Sequence, residues 1–301
     1  MSRLYLFEGQ DQARVFELEN GKIYTIGRSP NNDIHIDDDN ISGYHLKVER
    51  KLGKFYLTDL NSRNGTFVDG RDIDPEVEVE VNEGVPIVIG MTVLGLGDTC
   101  LTCLKPILDS IGVYSEHSKQ GDGSKSGRVV AFKRNLEFVY NVSDLLAHTN
   151  DVRKIVEKIL GSIFDLLKRI DRCAVILTDG VTGKISDVTF RSRNVIHDPE
   201  EAYDRYLVEQ SLMLNKAIFI PDTFDVSDED DDMVAHLQQV QIRSVMCVPL
   251  CSYLKTSGVI YMDSFKEPYG FRMNDFDLIK DISSRVALAL DNISINNSIG
   301  S

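Results

Sequence analysis

Through the first hundred residues, apolar positions come in short runs that alternate with polar ones: Ile23-Tyr24-Thr25-Ile26, Tyr44 to Val48, Phe55-Tyr56-Leu57 and Gly65-Thr66-Phe67-Val68. Between them, Pro30-Asn31-Asn32-Asp33 and Asn61-Ser62-Arg63-Asn64-Gly65 supply residues that tolerate turn dihedrals. A period of two, repeated without a helical stretch, predicts an all-β sandwich over residues 1–105. Val85 to Gly97 is the longest apolar stretch, interrupted by Pro86, Gly90, Thr92 and Gly95. It is too short to span a bilayer and reads as two strands. The pair Cys100 and Cys103 is expected on the last strand of the sandwich.

Ser115 to Arg128 lacks apolar residues and is rich in Ser, Gly and Lys. Such a segment cannot offset its ordering entropy by burial, so a flexible linker is expected over 106–134. Beyond it the period changes. Helices are predicted over Asn135–His148 and Asp151–Arg169, the second carrying Val152, Ile155, Val156, Ile159, Leu160, Ile163 and Leu167 at three- and four-residue spacing. Asn150 or Asp151 is placed to cap it. Strands are predicted at Cys173–Leu177, Ile185–Phe190, Ala217–Ile220, Ser244–Leu250 and Ser257–Asp263. Helices are predicted at Glu200–Leu214, Met233–Gln241 and Asn274–Asn292. The packing expected for 135–295 is an α/β domain, a central antiparallel sheet flanked by helices.

The 301 residues include 33 Lys+Arg and 47 Asp+Glu, a formal charge of −14. That field repels polyanions, so neither nucleic acid nor an anionic membrane is an expected partner. Any anion bound must be caught by a few local cations. Five cysteines, odd in number and scattered, argue against a disulfide framework, and no apolar leader core follows Met1-Ser2-Arg3. A cytoplasmic location is expected.

The sharpest motif set lies between Gly27 and Gly65. Gly27-Arg28 closes a strand and opens the loop Ser29 to Asp37; Ile41-Ser42-Gly43-Tyr44-His45 follows, then Asp59 to Gly70 with Ser62-Arg63-Asn64-Gly65 at its centre. This set resembles the forkhead-associated (FHA) domain, which reads phosphothreonine peptides, and a phosphothreonine presents a near-dianion with three strong acceptor oxygens. Holding it takes a guanidinium fork, hydroxyls and backbone N–H groups on anchored loops. Arg28 offers the fork, Ser42 a hydroxyl, Gly43 a backbone donor, and Asn64 an amide able to hold the peptide backbone. The resemblance implies those same roles, with Gly27 and Gly65 shaping the loops and His45 bracing the site from behind. Many bacterial members carry Arg directly after the serine, where this chain has Gly43; Arg63 is then the candidate second cation.

Residues from Leu136 to about Asn292 resemble a GAF domain, a sensing and dimerising module. The resemblance rests on Asn215 to Asp222, Ile242 to Leu250, Gly258 to Ser264 and Phe271 to Phe276. Against the cyclic-nucleotide-binding pattern, the positions read Asp263-Ser264, Phe271, Asp275 and Phe276, of which only Phe271 and Asp275 agree. No Cys-His pair suits a bilin, and His148, His197 and His236 qualify as haem ligands by residue type only. The acidic run Asp222 to Asp232 lacks the glycine and terminal glutamate of an EF-hand and reads as a solvated loop. No four-ligand zinc spacing occurs, and the cysteines read as small core residues rather than nucleophiles.

The expected protein is thus a non-enzymatic signalling adaptor with no resident cofactor or metal, apart from an unidentified small ligand in the second domain. Its partner is a protein or peptide carrying a phosphothreonine made by a Ser/Thr kinase. The apolar stripes at Leu136, Val139, Leu146 and Phe276 to Ile293 point to a homodimer. Two alternatives stand: the regulatory front of a larger signalling enzyme or transcription activator, against which the polar tail Asn296 to Ser301 weighs, and a thiol-redox enzyme using Cys247 or Cys251.

Overall fold

In the computed structural model, the alternating runs of the N-terminal third become strands whose inward residues build a single core. Residues 2–7, 13–104, 108, 125–180, 182–225, 232–252, 255–266 and 270–299 are described. The chain divides into two units, Met1–Asn141 and Val142–Ser301.

The first unit contains β1 (Ser2–Phe7), β2 (Arg14–Leu18), β3 (Ile23–Gly27), β4 (Ile34–His35), β5 (Leu46–Lys51) and β6 (Lys54–Asp59). β7 (Thr66–Val68), β8 (Arg71–Asp72), β9 (Glu78–Val81), β10 (Ile87–Ile89) and β11 (Thr92–Leu96) follow. They form two sheets, a six-stranded one in the order β2-β1-β11-β10-β7-β8 and a five-stranded one in the order β4-β3-β5-β6-β9. Leu4, Leu6, Ile26, Leu46, Leu57 and Leu94 are among the buried side chains of the shared core. The expected sandwich is present, and Val85 to Gly97 does hold two strands, β10 and β11.

One local expectation fails. Cys100 and Cys103 do not lie on the last strand but on a single-turn helix, α1 (Cys100–Cys103), after β11 has ended at Leu96. Gly97 at φ +85° turns the chain out of the sheet, and Cys100 then folds back so that its thiol donates to the Leu96 carbonyl at 2.8 Å. The linker expectation over 106–134 also changes. Most of 106–124 lies outside the described residues, but α2 (Lys125–His148) is helical from Lys125 on. Val129 and Leu136, seven residues apart on one helix face, are buried, an apolar signal that the Ser- and Gly-rich composition upstream obscured.

The second unit opens with the end of α2, then α3 (Val152–Leu166), capped by Asp151, whose carboxylate accepts from the backbone N–H groups of Arg153 and Lys154. Ile155, Val156, Ile159, Leu160 and Ile163 form its buried stripe. The sheet comprises β12 (Arg172–Thr178), β13 (Ile185–Ser192), β14 (Ile218–Ile220), β15 (Ser244–Cys251) and β16 (Thr256–Ser264) in the antiparallel order β13-β12-β16-β15-β14. The remaining helices are α4 (Arg205–Leu214), preceded by a 3-10 turn at Pro199–Ala202, α5 (Asp232–Gln239) and α6 (Met273–Ile299). Leu207, Val208 and Leu237 of α4 and α5 cover the sheet face that carries Ile176, Cys247 and Tyr261. Residues 226–231 of the acidic run lie outside the described residues. No described helix is long and apolar enough to cross a membrane.

Candidate functional site

Strand register decides where the predicted residues meet. Ile26 of β3 sits opposite Leu46 of β5, and Leu46 sits opposite Asp59 of β6. The end of β3, the start of β5 and the end of β6 are therefore side by side. Three loops, 28–33, 36–45 and 60–65, leave from that one end of the sheet, and they carry Arg28, Ser42, Gly43, Arg63 and Asn64.

The first two loops are zipped together by backbone. Arg28 N–H donates to the Ser42 carbonyl and Ser29 N–H to the Gly43 carbonyl, both at 2.9 Å. This approach explains Gly27: a Cβ there would lie 2.4 Å from the Gly43 carbonyl oxygen and 2.9 Å from that of Ser42. Buried Asn32 reinforces the seam, its Nδ2 donating to the carbonyls of Ser29 at 2.8 Å and Gly43 at 2.7 Å.

His45 sits behind the loop, fully buried. Its Nδ1 accepts from the Ser42 N–H at 3.1 Å, and its Nε2 lies 3.3 Å from the Gly65 carbonyl. Satisfying both requires the neutral ring with its proton on Nε2. Burial pushes the imidazole below its ordinary range and outweighs the opposing pull of Asp59, 3.9 Å away. His45 thus braces two loops at once.

The third loop hangs on Asp59, also buried. Its carboxylate accepts from the Ser62 N–H at 2.7 Å, the Ser62 hydroxyl at 2.6 Å and the Thr66 hydroxyl at 2.5 Å. Gly65 takes φ +67°, the left-handed conformation the turn requires. The loop is then tied across the site. Arg63 N–H donates to Ser42 Oγ at 3.0 Å, and Asn64 Nδ2 donates to the Asn40 carbonyl at 2.7 Å. Asp38 fixes Asn40 from below, accepting from its backbone N–H and its Nδ2, both at 2.8 Å.

The structure therefore brings all five predicted contact residues to one rim, and each retains capacity for a ligand. Ser42 Oγ accepts from Arg63, which leaves its hydroxyl proton to donate. Gly43 is exposed, and its N–H meets no acceptor among the described residues. Arg28 is exposed and pairs with Asp39 at 3.0 Å. Arg63 is exposed as well, and its side chain makes no ion pair among the described residues. Asn64 differs from expectation in part: its NH2 group braces the loop, so Oδ1 remains the atom to receive a peptide N–H. Asn32, Asp38 and Asp59 were not singled out from sequence. Only Asp59 carried a usable signal, the Asp-x-x-Ser spacing of a side-chain-capped turn.

The FHA domain family matches residues 24–90, the segment containing every one of these loops, and the GAF domain family matches residues 151–290. The chain carries an FHA domain followed by a GAF domain. FhaB of Mycolicibacterium smegmatis is 34% identical over 71 residues, 24% of this chain and 44% of that protein. The glycogen accumulation regulator GarA of the same organism is 37% identical over 51 residues, 17% of this chain and 32% of that protein. An FHA domain-containing protein of Arabidopsis thaliana is 33% identical over 89 residues, 29% of this chain and 23% of that protein. The chain thus spans less than half the length of these relatives. Among solved structures, the FHA domain of CT664 from Chlamydia trachomatis is 29% identical with a TM-score of 0.31, covering 32% of this chain and 96% of that one. The FhaA FHA domain complexed with the intracellular domain of Rv3910 is 27% identical with a TM-score of 0.29, covering 32% and 99%.

In the GAF domain, the residues standing at the cyclic-nucleotide positions are spent on structure. Asp263 is buried, pairs with Arg172 and accepts from the Tyr261 hydroxyl at 2.6 Å. Phe271 is fully buried, Asp275 accepts from the Arg272 N–H at 2.8 Å, and Phe276 stacks on Phe219 at 5.0 Å. An open cavity of about 750 Å³ lies instead between β13 and α4, with Ile185, Val188, Tyr203 and Leu212 on its apolar side and Lys184 and Arg205 among its polar lining. His148 and His197 are exposed, and His236 is taken up by Asp204 at 2.8 Å. Cys247 is fully buried, which pushes its thiol up to about 12; burial raises Cys173 likewise. Cys251 is half-buried beside Asn215 and Thr256. Among the described residues no cluster of three or more His, Cys, Asp or Glu is arranged to hold a metal.

Proposed function

We propose that this chain is a phosphothreonine-dependent signalling adaptor acting in the cytoplasm. Its FHA domain docks on a protein phosphorylated by a Ser/Thr kinase, and its GAF domain pairs with a second copy and offers its cavity to a small ligand. One observation carries the reading: Arg28, Ser42, Gly43 and Arg63 converge on one rim, on loops tied to one another by hydrogen bonds. A set of two guanidinium groups, one hydroxyl and one backbone N–H suits a tetrahedral dianion. On a chain of charge −14, anion affinity depends on such local groups and not on the overall field.

The Arg28–Asp39 pair fits the same role. Both side chains are substantially exposed, 42% and 64%, so the pair contributes little stability and yields readily to a phosphate. A non-enzymatic role is supported by Cys173 and Cys247, whose burial raises their thiols and makes them poor nucleophiles. Pairing of GAF domains is supported by α6, where Leu288 and Ile295, seven residues apart on one helix face, are 43% and 44% exposed.

The test is titration of a phosphothreonine peptide library against the wild-type chain and Arg28→Ala. Losing the charge-assisted guanidinium contacts costs about 3 kcal/mol, over a hundredfold in Kd. Equal binding by the variant, or wild-type binding that ignores the phosphate, refutes the proposal. Native mass spectrometry of the same sample reads the subunit count and any retained small molecule.

A further inference from the structure

Lys133 on α2 lies outside both matched segments, yet it is the most buried lysine among the described residues, 8% exposed. An ammonium is rarely buried without dedicated acceptors. Here Nζ donates to the backbone carbonyl of Asn64 and to Asp72 Oδ1, each at 2.9 Å, and it sits 5.8 Å from the centre of the Phe67 ring. Asp72 is 68% exposed at its side chain while Lys133 is 11% exposed, so the fixed end of the contact is the Asn64 carbonyl. One helical turn on, Glu137 reaches the same hairpin: its Cγ and Oε1 lie 3.9 Å from where a Gly70 Cβ would stand.

Asn64 is consequently held from two sides. Its side chain is tied forward to the Asn40 carbonyl, and its backbone carbonyl is tied backward to Lys133. Together these bonds set the direction of Asn64 Oδ1, the atom left to meet the peptide backbone. From this geometry we infer that Lys133 is a positioning residue of the phosphopeptide site and that engagement of a peptide at Asn64 is coupled to the seating of the first half of α2. The inference rests on the phosphothreonine reading. The coupling is reciprocal: whatever α2 contributes to peptide affinity, the peptide returns as protection of α2.

The experiment uses the full chain and a phosphothreonine peptide selected from a library on the wild-type protein. In a titration by fluorescence anisotropy, Lys133→Met is expected to bind about tenfold more weakly, and Lys133→Arg, which keeps a donor in reach, to recover most of that loss. In a double-mutant cycle, Lys133→Met and Asn64→Ala are expected to be non-additive, because both act through Asn64 Oδ1, whereas Lys133→Met and Arg28→Lys add. A variant that is merely less stable would not yield that contrast. Should Lys133→Met fail to fold, hydrogen exchange on the wild type decides: saturating peptide is expected to slow exchange over 129–137. A Lys133→Met Kd within twofold of wild type, additivity with Asn64→Ala, or unchanged exchange over 129–137 overturns the inference. A wild-type chain that binds no phosphothreonine peptide fails the parent reading instead.

Discussion

Replacing Gly27 by alanine adds one carbon atom, and the structure locates its collision. The new Cβ would stand 2.4 Å from the Gly43 carbonyl oxygen, backed by the Ser42 oxygen at 2.9 Å and Asn32 Nδ2 at 3.0 Å. An unstrained C···O contact needs about 3.3 Å, so the Ser42–Gly43 backbone must retreat by about 1 Å. That movement stretches the Ser29–Gly43 bond of 2.9 Å and the Asn32–Gly43 bond of 2.7 Å past useful range. Two hydrogen bonds at about 1 kcal/mol each, with overpacking strain of about 1–2 kcal/mol, give a destabilisation of about 3–4 kcal/mol. For a unit of this size the thermal midpoint then falls by on the order of 10 °C. Peptide affinity falls further than stability alone dictates, since the displaced groups are the Ser42 hydroxyl and the Gly43 N–H; a loss of at least tenfold in Kd is expected at temperatures where the variant is folded. Gly43→Ala is the control: its Cβ meets nothing within 4 Å, and stability should hold within about 0.5 kcal/mol. Calorimetric unfolding with anisotropy titration of a phosphothreonine peptide checks both variants. A Gly27→Ala protein with the wild-type midpoint and wild-type affinity refutes the backbone-seam account of this site.

Two further outcomes follow from the same geometry. Asp39→Asn removes a carboxylate that competes for Arg28, and because an exposed pair contributes at most about 1 kcal/mol, peptide affinity should rise about two- to fivefold; weaker binding by this variant contradicts the assignment. Burial holds the folded-state His45 below its ordinary range, so below about pH 6.5 the unfolded chain carries the extra proton. Stability of the FHA domain should therefore fall as pH drops from there, by up to about 1.4 kcal/mol per pH unit, until the folded form protonates too. Urea midpoints of the ligand-free chain between about pH 7.5 and 5.5 check this, and the ligand-free measurement keeps it apart from protonation of the phosphate. A flat profile rejects a buried neutral His45.

Much of the first domain could be read from the alternation of residues such as Tyr24 and Ile26, because one sheet face is buried and the other is not. The residues of the candidate site were legible as well, since Gly27-Arg28, Ile41 to His45 and Ser62 to Gly65 follow one another in order at loop positions. Their supports were not. Asn32 and Asp38 look like ordinary turn residues, and only the fold reveals that Asn32 closes a seam eleven residues away in sequence at Gly43. Cys100 was misplaced because an apolar-looking strand tail and a helical turn of four residues have the same composition. Lys133 stands just after a segment rich in Ser, Gly and Lys, and a single lysine carries no local sign that its ammonium is buried.

The register that gathers the binding loops also fixes what lies opposite. β5 and β6 meet again at Lys51 and Lys54, joined by Leu52 at φ +53° and Gly53 at φ +81°, and Leu52 is 93% exposed. That hairpin tip lies five residues along the sheet from Leu46, about 17 Å, in a turn whose side chain packs on nothing. A fluorophore attached there through Leu52→Cys would leave the recognition loops untouched. The domain thus comes with a natural attachment point for surface immobilisation or single-molecule tethering.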